Sequence, residues 1–69
     1  MKEGNLYFDG DCGRYALAGY DFHCGDCLQI WIDGKWQDTR IELHGSSEWY
    51  LVGFAKLDLD GLKARRIGP

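Results

Sequence analysis

Proline occurs once in these 69 residues, at position 69, and no long polar tract of the kind that stays disordered is present. The composition is that of a chain that folds. No apolar run approaches the 18 or so residues that cross a bilayer. Residues 1–5 open with an acid and a glycine and lack the apolar stretch of a secretory signal, so the cytosol is the expected compartment. Basic residues are in the minority: eight Lys and Arg against eleven Asp and Glu give a net charge of −3 and a pI near 5.1. A domain that neutralises nucleic-acid phosphates normally carries the opposite balance. At 7.9 kDa the chain is a single domain over residues 1–69, too short for a separate catalytic half.

What is present is 45% apolar, with three Trp, four Tyr and three Phe. A chain of this size hides only about 60% of the surface its unfolded form exposes, so a covalent or metal staple would help it. Charge is unevenly placed. The first 26 residues sum to −3, residues 27–55 to −2, and the remainder to +2.

Periodicity predicts strands. Leu28-Gln29-Ile30-Trp31-Ile32 alternates at period two, Asp33-Gly34 is a type I′ hairpin signal, and residues 35–43 alternate again with Thr39, Ile41 and Leu43 on one side. A turn at 44–47 leads into an aromatic and β-branched strand at 48–54. Shorter strands are expected at 13–17 and 20–22, with a last edge strand at 62–67 and one 3₁₀ turn at 58–61. No stretch sustains a 3.6-residue period. The expected fold is mainly β without a long helix: a five- to six-stranded antiparallel bent sheet or a Src-homology-3-like barrel, the economical ways to hide sheet edges in so short a chain.

His23-Cys24-Gly25-Asp26-Cys27 holds the Cys-x-x-Cys spacing of half a zinc knuckle. Cys12, in the similar setting Gly10-Asp11-Cys12-Gly13, would add a third thiolate, and His44 the fourth ligand, with His23 as the alternative. His44 is preferred, since neighbours on an extended chain point to opposite faces and His23 adjoins Cys24. Four protein ligands would close the site, making the zinc structural. The competing reading is that the cysteines are small buried residues. Three is an odd number, which rules out a complete disulfide set within one chain.

Other chemistries lack their frame. Cys24 and Cys27 have no helix N-terminus to activate a thiol, Asp9/Asp11 and Asp58/Asp60 sit in no full calcium loop, Gly10-Asp11-Cys12-Gly13 lacks the lysine of a phosphate loop, and Ser46-Ser47 lacks a nucleophile elbow. No catalytic constellation emerges, and no enzyme is expected. Trp31 and Trp36 are expected on the outer surface of one hairpin, where Trp49 could join them, as interface anchors or as a second small core.

The segments Gly13-Arg14-Tyr15-x-Leu17, Tyr20-x-Phe22-His23-Cys24-Gly25-Asp26, Asp33-Gly34-Lys35-Trp36, Arg40-Ile41-Glu42, Trp49-Tyr50-x-Val52 and Gly61-Leu62-Lys63-Ala64-Arg65 resemble a family of short proteins from Gram-positive bacteria, their phages and mobile elements. The likeness runs over residues 13–67 and implies a small barrel-like β domain with no assigned activity. In size, acidity and cysteine content the chain also resembles zinc-containing anti-CRISPR proteins that inhibit type II-A RNA-guided nucleases. That resemblance implies a protein partner, the nuclease, whose positively charged channels would accept an acidic surface and so be hindered in loading DNA. Asp9, Asp11, Asp21, Asp26, Trp31 and Trp36 are the candidate contacts. The alternative is a nucleic-acid-associated accessory domain of a mobile element that uses the basic end.

Overall fold

A computed structural model describes residues 3–45 and 48–67. Its elements are eight strands: β1 (Glu3–Asn5), β2 (Tyr7–Asp9), β3 (Arg14–Leu17), β4 (Tyr20–Asp21), β5 (Cys27–Ile32), β6 (Lys35–His44), β7 (Glu48–Leu51) and β8 (Lys63–Arg66). They form two antiparallel sheets, one of five strands in the order β1-β8-β5-β6-β7 and one of three in the order β2-β3-β4. The expectation of a mainly β fold without a long helix holds, with eight strands among the described residues in place of five or six and sheets that stay open at their edges.

Two tight hairpins organise the chain. Ile32 pairs with Lys35 across Asp33 (φ +53) and Gly34 (φ +78), the left-handed pair that a type I′ turn requires. Leu17 pairs with Tyr20 across Ala18 (φ +49) and Gly19 (φ +86) in the same manner, although alanine has no intrinsic liking for that region. β6 runs one residue beyond the expected end, to His44. The turn expected at 44–47 includes Ser46 and Ser47, which lie outside the described residues. β7 stops at Leu51 rather than at Phe54, because Gly53 (φ +85) reverses the chain and the Phe54 N–H donates to Leu51 O at 2.9 Å. At 58–61 no 3₁₀ helix forms. A single turn replaces it, closed by Leu62 N–H to Leu59 O at 3.2 Å.

β8 differs most from expectation. Instead of an edge, it occupies an interior position between β1 and β5. The edge it would have presented is covered by β1, a three-residue strand whose Gly4 carries no side chain and lies 3.8 Å, measured from an ideal Cβ position, from the Leu17 side chain. Leu6, fully buried, marks where the chain leaves one sheet for the other, with its N–H bound to Leu62 O and its carbonyl to Gly61 N–H, each at 2.8 Å.

The core lies on the inner face of the large sheet. Leu28, Ile30, Ile41, Leu51 and Ala64 project from that face and meet Leu17 from β3 and Leu6, Phe22 and Leu59 from the connections. Alternation along β5 puts Leu28 and Ile30 inside and leaves Gln29 and Trp31 on the opposite, outer face. Among the described residues no second layer covers that outer face, which holds the candidate site.

Candidate interaction face and the cysteine positions

Register builds the outer face. Trp31 pairs directly with Trp36, Gln29 with Asp38 and with Arg65, and Cys27 with Arg40. The two indoles meet edge to face, with centroids 5.2 Å apart. β8 contributes Lys63 and Arg65 at period two, and both lie over the rings: Lys63 Nζ is 5.2 Å from the Trp31 centroid and the Arg65 guanidinium carbon 4.2 Å from that of Trp36. Cations held against an aromatic face are attracted by its quadrupole. Arg65 is braced in turn. Its Nε donates to Gln29 Oε1 at 2.7 Å, and Gln29 Nε2 donates to Asp38 Oδ1, also at 2.7 Å. Trp31 remains 39% exposed, an unusual degree for so large an apolar side chain.

Trp36 and Trp31 therefore lie together on the outer surface of one hairpin, as their alternation predicts. Trp49 does not join them. It pairs with Leu43 on the inner side of the sheet, packs against the core, and donates from its indole nitrogen to Gly13 O at 2.9 Å. Sequence reasoning missed Lys63 and Arg65 as members of the aromatic group. The alternation of Lys63, Ala64 and Arg65 was the available signal, but only the pairing of β8 with β5 places them beside the tryptophans.

The candidate acids divide between two settings. Asp9 ends β2 and Asp21 ends β4, both in the small sheet, while Asp11 is exposed in the loop between β2 and β3 and donates its backbone N–H to Asp9 Oδ1 at 3.0 Å. Asp26 is engaged internally. Its Oδ2 accepts the Tyr20 hydroxyl at 2.8 Å and the His23 backbone N–H at 2.9 Å, with the His23 ring nitrogen 3.7 Å away. Burial pushes the Asp26 carboxyl up, but the His23 N–H, the Tyr20 hydroxyl and the His23 charge outweigh it and hold it below its usual value.

All three cysteines are exposed free thiols, so they are not core residues. Cys12 and Cys24 line one open hollow, together with Gly13, Arg14, Leu43 and Trp49. Cys24 Sγ lies 3.2 Å from Glu42 Oε1, and this hydrogen bond, followed by the one from Arg40 Nε and the Arg40 charge, lowers the Glu42 carboxyl. Cys27 lines a different hollow with Tyr20, Phe22, Asp26, Arg66 and Ile67, and His44 a third with Glu48, Trp49, Tyr50 and Ala55. Among the described residues, the metal-capable donors that converge within 4.8 Å of one another are Asp9, Cys12 and Asp21. His23, the alternative fourth ligand, lies against Tyr20 and Asp26.

Residues 4–66 match the model of a domain of unknown function, DUF5348. The chain belongs to this family. It is also similar to a protein from Ruminococcus gnavus whose crystal structure was determined by the Northeast Structural Genomics Consortium, at 38% identity and a TM-score of 0.76 over 93% of this chain and 99% of that one. No curated protein matches the chain. A family of unknown function and a similar small protein from a Gram-positive bacterium agree with the coarser part of the resemblance drawn from the sequence, a family of short proteins without assigned activity. Among the described residues no helix is long and apolar enough to cross a membrane.

Proposed function

We propose that this member of the DUF5348 family is a non-enzymatic module that binds another protein through the outer face of its five-stranded sheet. The observation that carries the reading is the Trp31–Trp36 pair with Lys63 and Arg65 laid over it. Tryptophan and arginine are the residue types that dominate binding energy at protein interfaces. Here they are ordered in advance: strand pairing fixes the rings, Gln29 braces Arg65, and Asp38 braces Gln29. Side chains already held in place lose less entropy when a partner arrives.

The same arrangement disfavours stacking of bases. A nucleobase would have to displace the guanidinium that lies 4.2 Å above Trp36, and the net charge of −3 would repel the phosphates. The narrower form of the reading makes the partner a type II RNA-guided nuclease and the effect hindered DNA loading. Its support is the small size, the acidity, and the placement of Asp9, Asp11 and Asp21 in and beside the small sheet, where they could face a positively charged channel. Asp26, engaged by Tyr20 and His23, has less to offer a partner.

The test is size-exclusion chromatography of the chain with a guide-loaded type II-A nuclease, beside a DNA-cleavage assay and a gel shift with free DNA. Co-elution with loss of cleavage is expected, weakened at least about tenfold by W31A or W36A, since a central interface tryptophan is worth 2 kcal/mol or more. Absence of a complex overturns the nuclease form. A complex indifferent to both substitutions overturns the sheet face as its seat, and a salt-sensitive shift of free DNA favours the nucleic-acid-associated alternative.

A further inference from the structure

β6 is only partly covered on the edge that faces away from β5. Ile32 pairs with Lys35 at the hairpin, so parity turns the backbone groups of Lys35, Gln37, Thr39 and Ile41 toward β5 and those of Trp36, Asp38 and Arg40 the other way. Two bonds fix this assignment: Ile41 N–H donates to Asp26 O, and Arg40 O accepts the Val52 N–H, each at 3.0 Å. β7 pairs with β6 only from His44 back to Ile41, and Gly53 (φ +85) then turns the chain away. Thr39 Oγ1 closes the end of that ladder by donating to Val52 O at 2.8 Å. Among the described residues, no hydrogen bond reaches the backbone N–H or C=O of Trp36 or Asp38.

The devices that blunt such an edge are sparse here. Residues 35–39 contain no proline, and their register with β5 runs without a bulge. Lys35 stands at the far end, beside the turn. The acid, Asp38, leans back across the sheet to accept from Gln29 Nε2.

This bare stretch is self-complementary. Antiparallel pairing of two copies about a two-fold axis at Gln37 sets Trp36 of each opposite Asp38 of the other, and the hydrogen-bonded pairs so formed use every one of the free backbone groups. A register shifted one way would need Arg40 O, which Val52 N–H already holds, and shifted the other way it would run into the turn at Gly34. Side chains agree. The Trp36 indole N–H has no acceptor among the described residues, and it comes beside an Asp38 carboxylate with acceptor positions to spare. The hairpin tip of each copy, carrying the exposed Asp33, comes level with the exposed Arg40 of the other, so opposite charges meet at both ends of the contact.

We propose that this chain forms a two-fold dimer through its β6 edges, joining two five-stranded sheets into one continuous sheet. The occupant of the bare edge is a second copy. The dimer does not depend on the partner-binding reading: it leaves the Trp31–Trp36 pairs of both copies on one outer surface, on either side of the axis.

The test is sedimentation velocity of the intact, reduced chain from micromolar to millimolar concentration at low ionic strength. A reversible rise from 7.9 kDa to twice that mass is expected. In this register Gln37 meets its own copy in a closely spaced pair. Gln37→Lys and Gln37→Glu should therefore each weaken association at least about tenfold, and mixing the two variants should restore it, because like charges set opposite one another repel and unlike ones attract. Hydrogen exchange of the unsubstituted chain gives a second reading. The Trp36 and Asp38 amides should gain protection as concentration rises, and the Trp49 amide, on the outward side of β7, should not. A single 7.9 kDa species at every concentration overturns the dimer. Association that neither variant weakens, or growth beyond a dimer, overturns the β6 edge as a closed contact, and a mixture no tighter than its components overturns the axis at Gln37. Should either variant melt early by circular dichroism, unchanged exchange at Trp36 and Asp38 overturns the proposal by itself.

Discussion

The indole nitrogen of Trp49 on β7 donates to the carbonyl of Gly13, 36 residues earlier, in the loop that joins β2 to β3. One hydrogen bond thereby ties an edge strand of the large sheet to the small sheet. Trp49→Phe removes the donor while keeping most of the packing, and should lower the free energy of unfolding by about 1 kcal/mol, with Trp49→Ala costing about 3 kcal/mol. Urea denaturation followed by far-UV circular dichroism measures both. An unchanged midpoint in the phenylalanine variant would mean that the bond contributes nothing.

Beside the lowered Glu42, Asp26 contributes to the acid limb of stability. Its carboxyl is held below its usual value in the folded chain, so its contribution is complete above the unfolded value near 3.8 and is lost as pH falls through the lower folded one. Asp26→Asn should flatten the loss of stability below about pH 4, and Tyr20→Phe, which deletes one of the hydrogen bonds, should cost about 1 kcal/mol at neutral pH. Thermal melts across the acid range check the sign.

Beside Tyr20, whose hydroxyl bond to Asp26 also raises it, Tyr15 contributes to the alkaline limb. Burial, followed by the hydroxyl's 2.8 Å bond to Asp60 Oδ1 and the charge of that carboxylate, pushes its phenol up to about 12. The folded chain keeps a proton that the unfolded chain releases near its ordinary value of 10.0, so stability is intact below that value and falls as pH rises through about 12. Ultraviolet titration of the phenolates should show a late-ionising tyrosine that Asp60→Asn shifts earlier.

The two type I′ turns answer to opposite substitutions. Gly34→Ala places a side chain at φ +78 and should destabilise by about 1 kcal/mol, though nothing lies within 4 Å of its ideal Cβ. Ala18→Asn relieves an alanine at φ +49 and should stabilise by a few tenths to about 1 kcal/mol. Urea midpoints moving in opposite directions would confirm that conformation, rather than contact, decides both.

These turns also show what was legible in advance. Asp33-Gly34 flanked by alternating residues announces its hairpin, because local chemistry alone determines that turn. Glu3-Gly4-Asn5 announces nothing. It has neither alternation nor β propensity, and it is a strand only because β8 offers an unpaired edge beside it. The cysteines were legible as potential ligands but not as a set. Spacing does not report direction: Cys27 opens β5 and strand parity sends it outward opposite Arg40, while Cys24, in the turn before, meets Glu42.

The interior position of β8 bears on how the protein is made. Glu3, Gly4 and Asn5 find their ladder partners in residues 63–65, so during synthesis the earliest strand waits, unpaired, for the latest. The β5–β6 hairpin, complete by residue 44, forms at once, but its β5 side stays bare until residue 66 has left the ribosome. Closure of so long a loop comes before any reward from the contacts it permits. The ladder on β5 can therefore be completed only once residues 64–66 are available, and until then its open edge is one that a chaperone or a second copy can occupy.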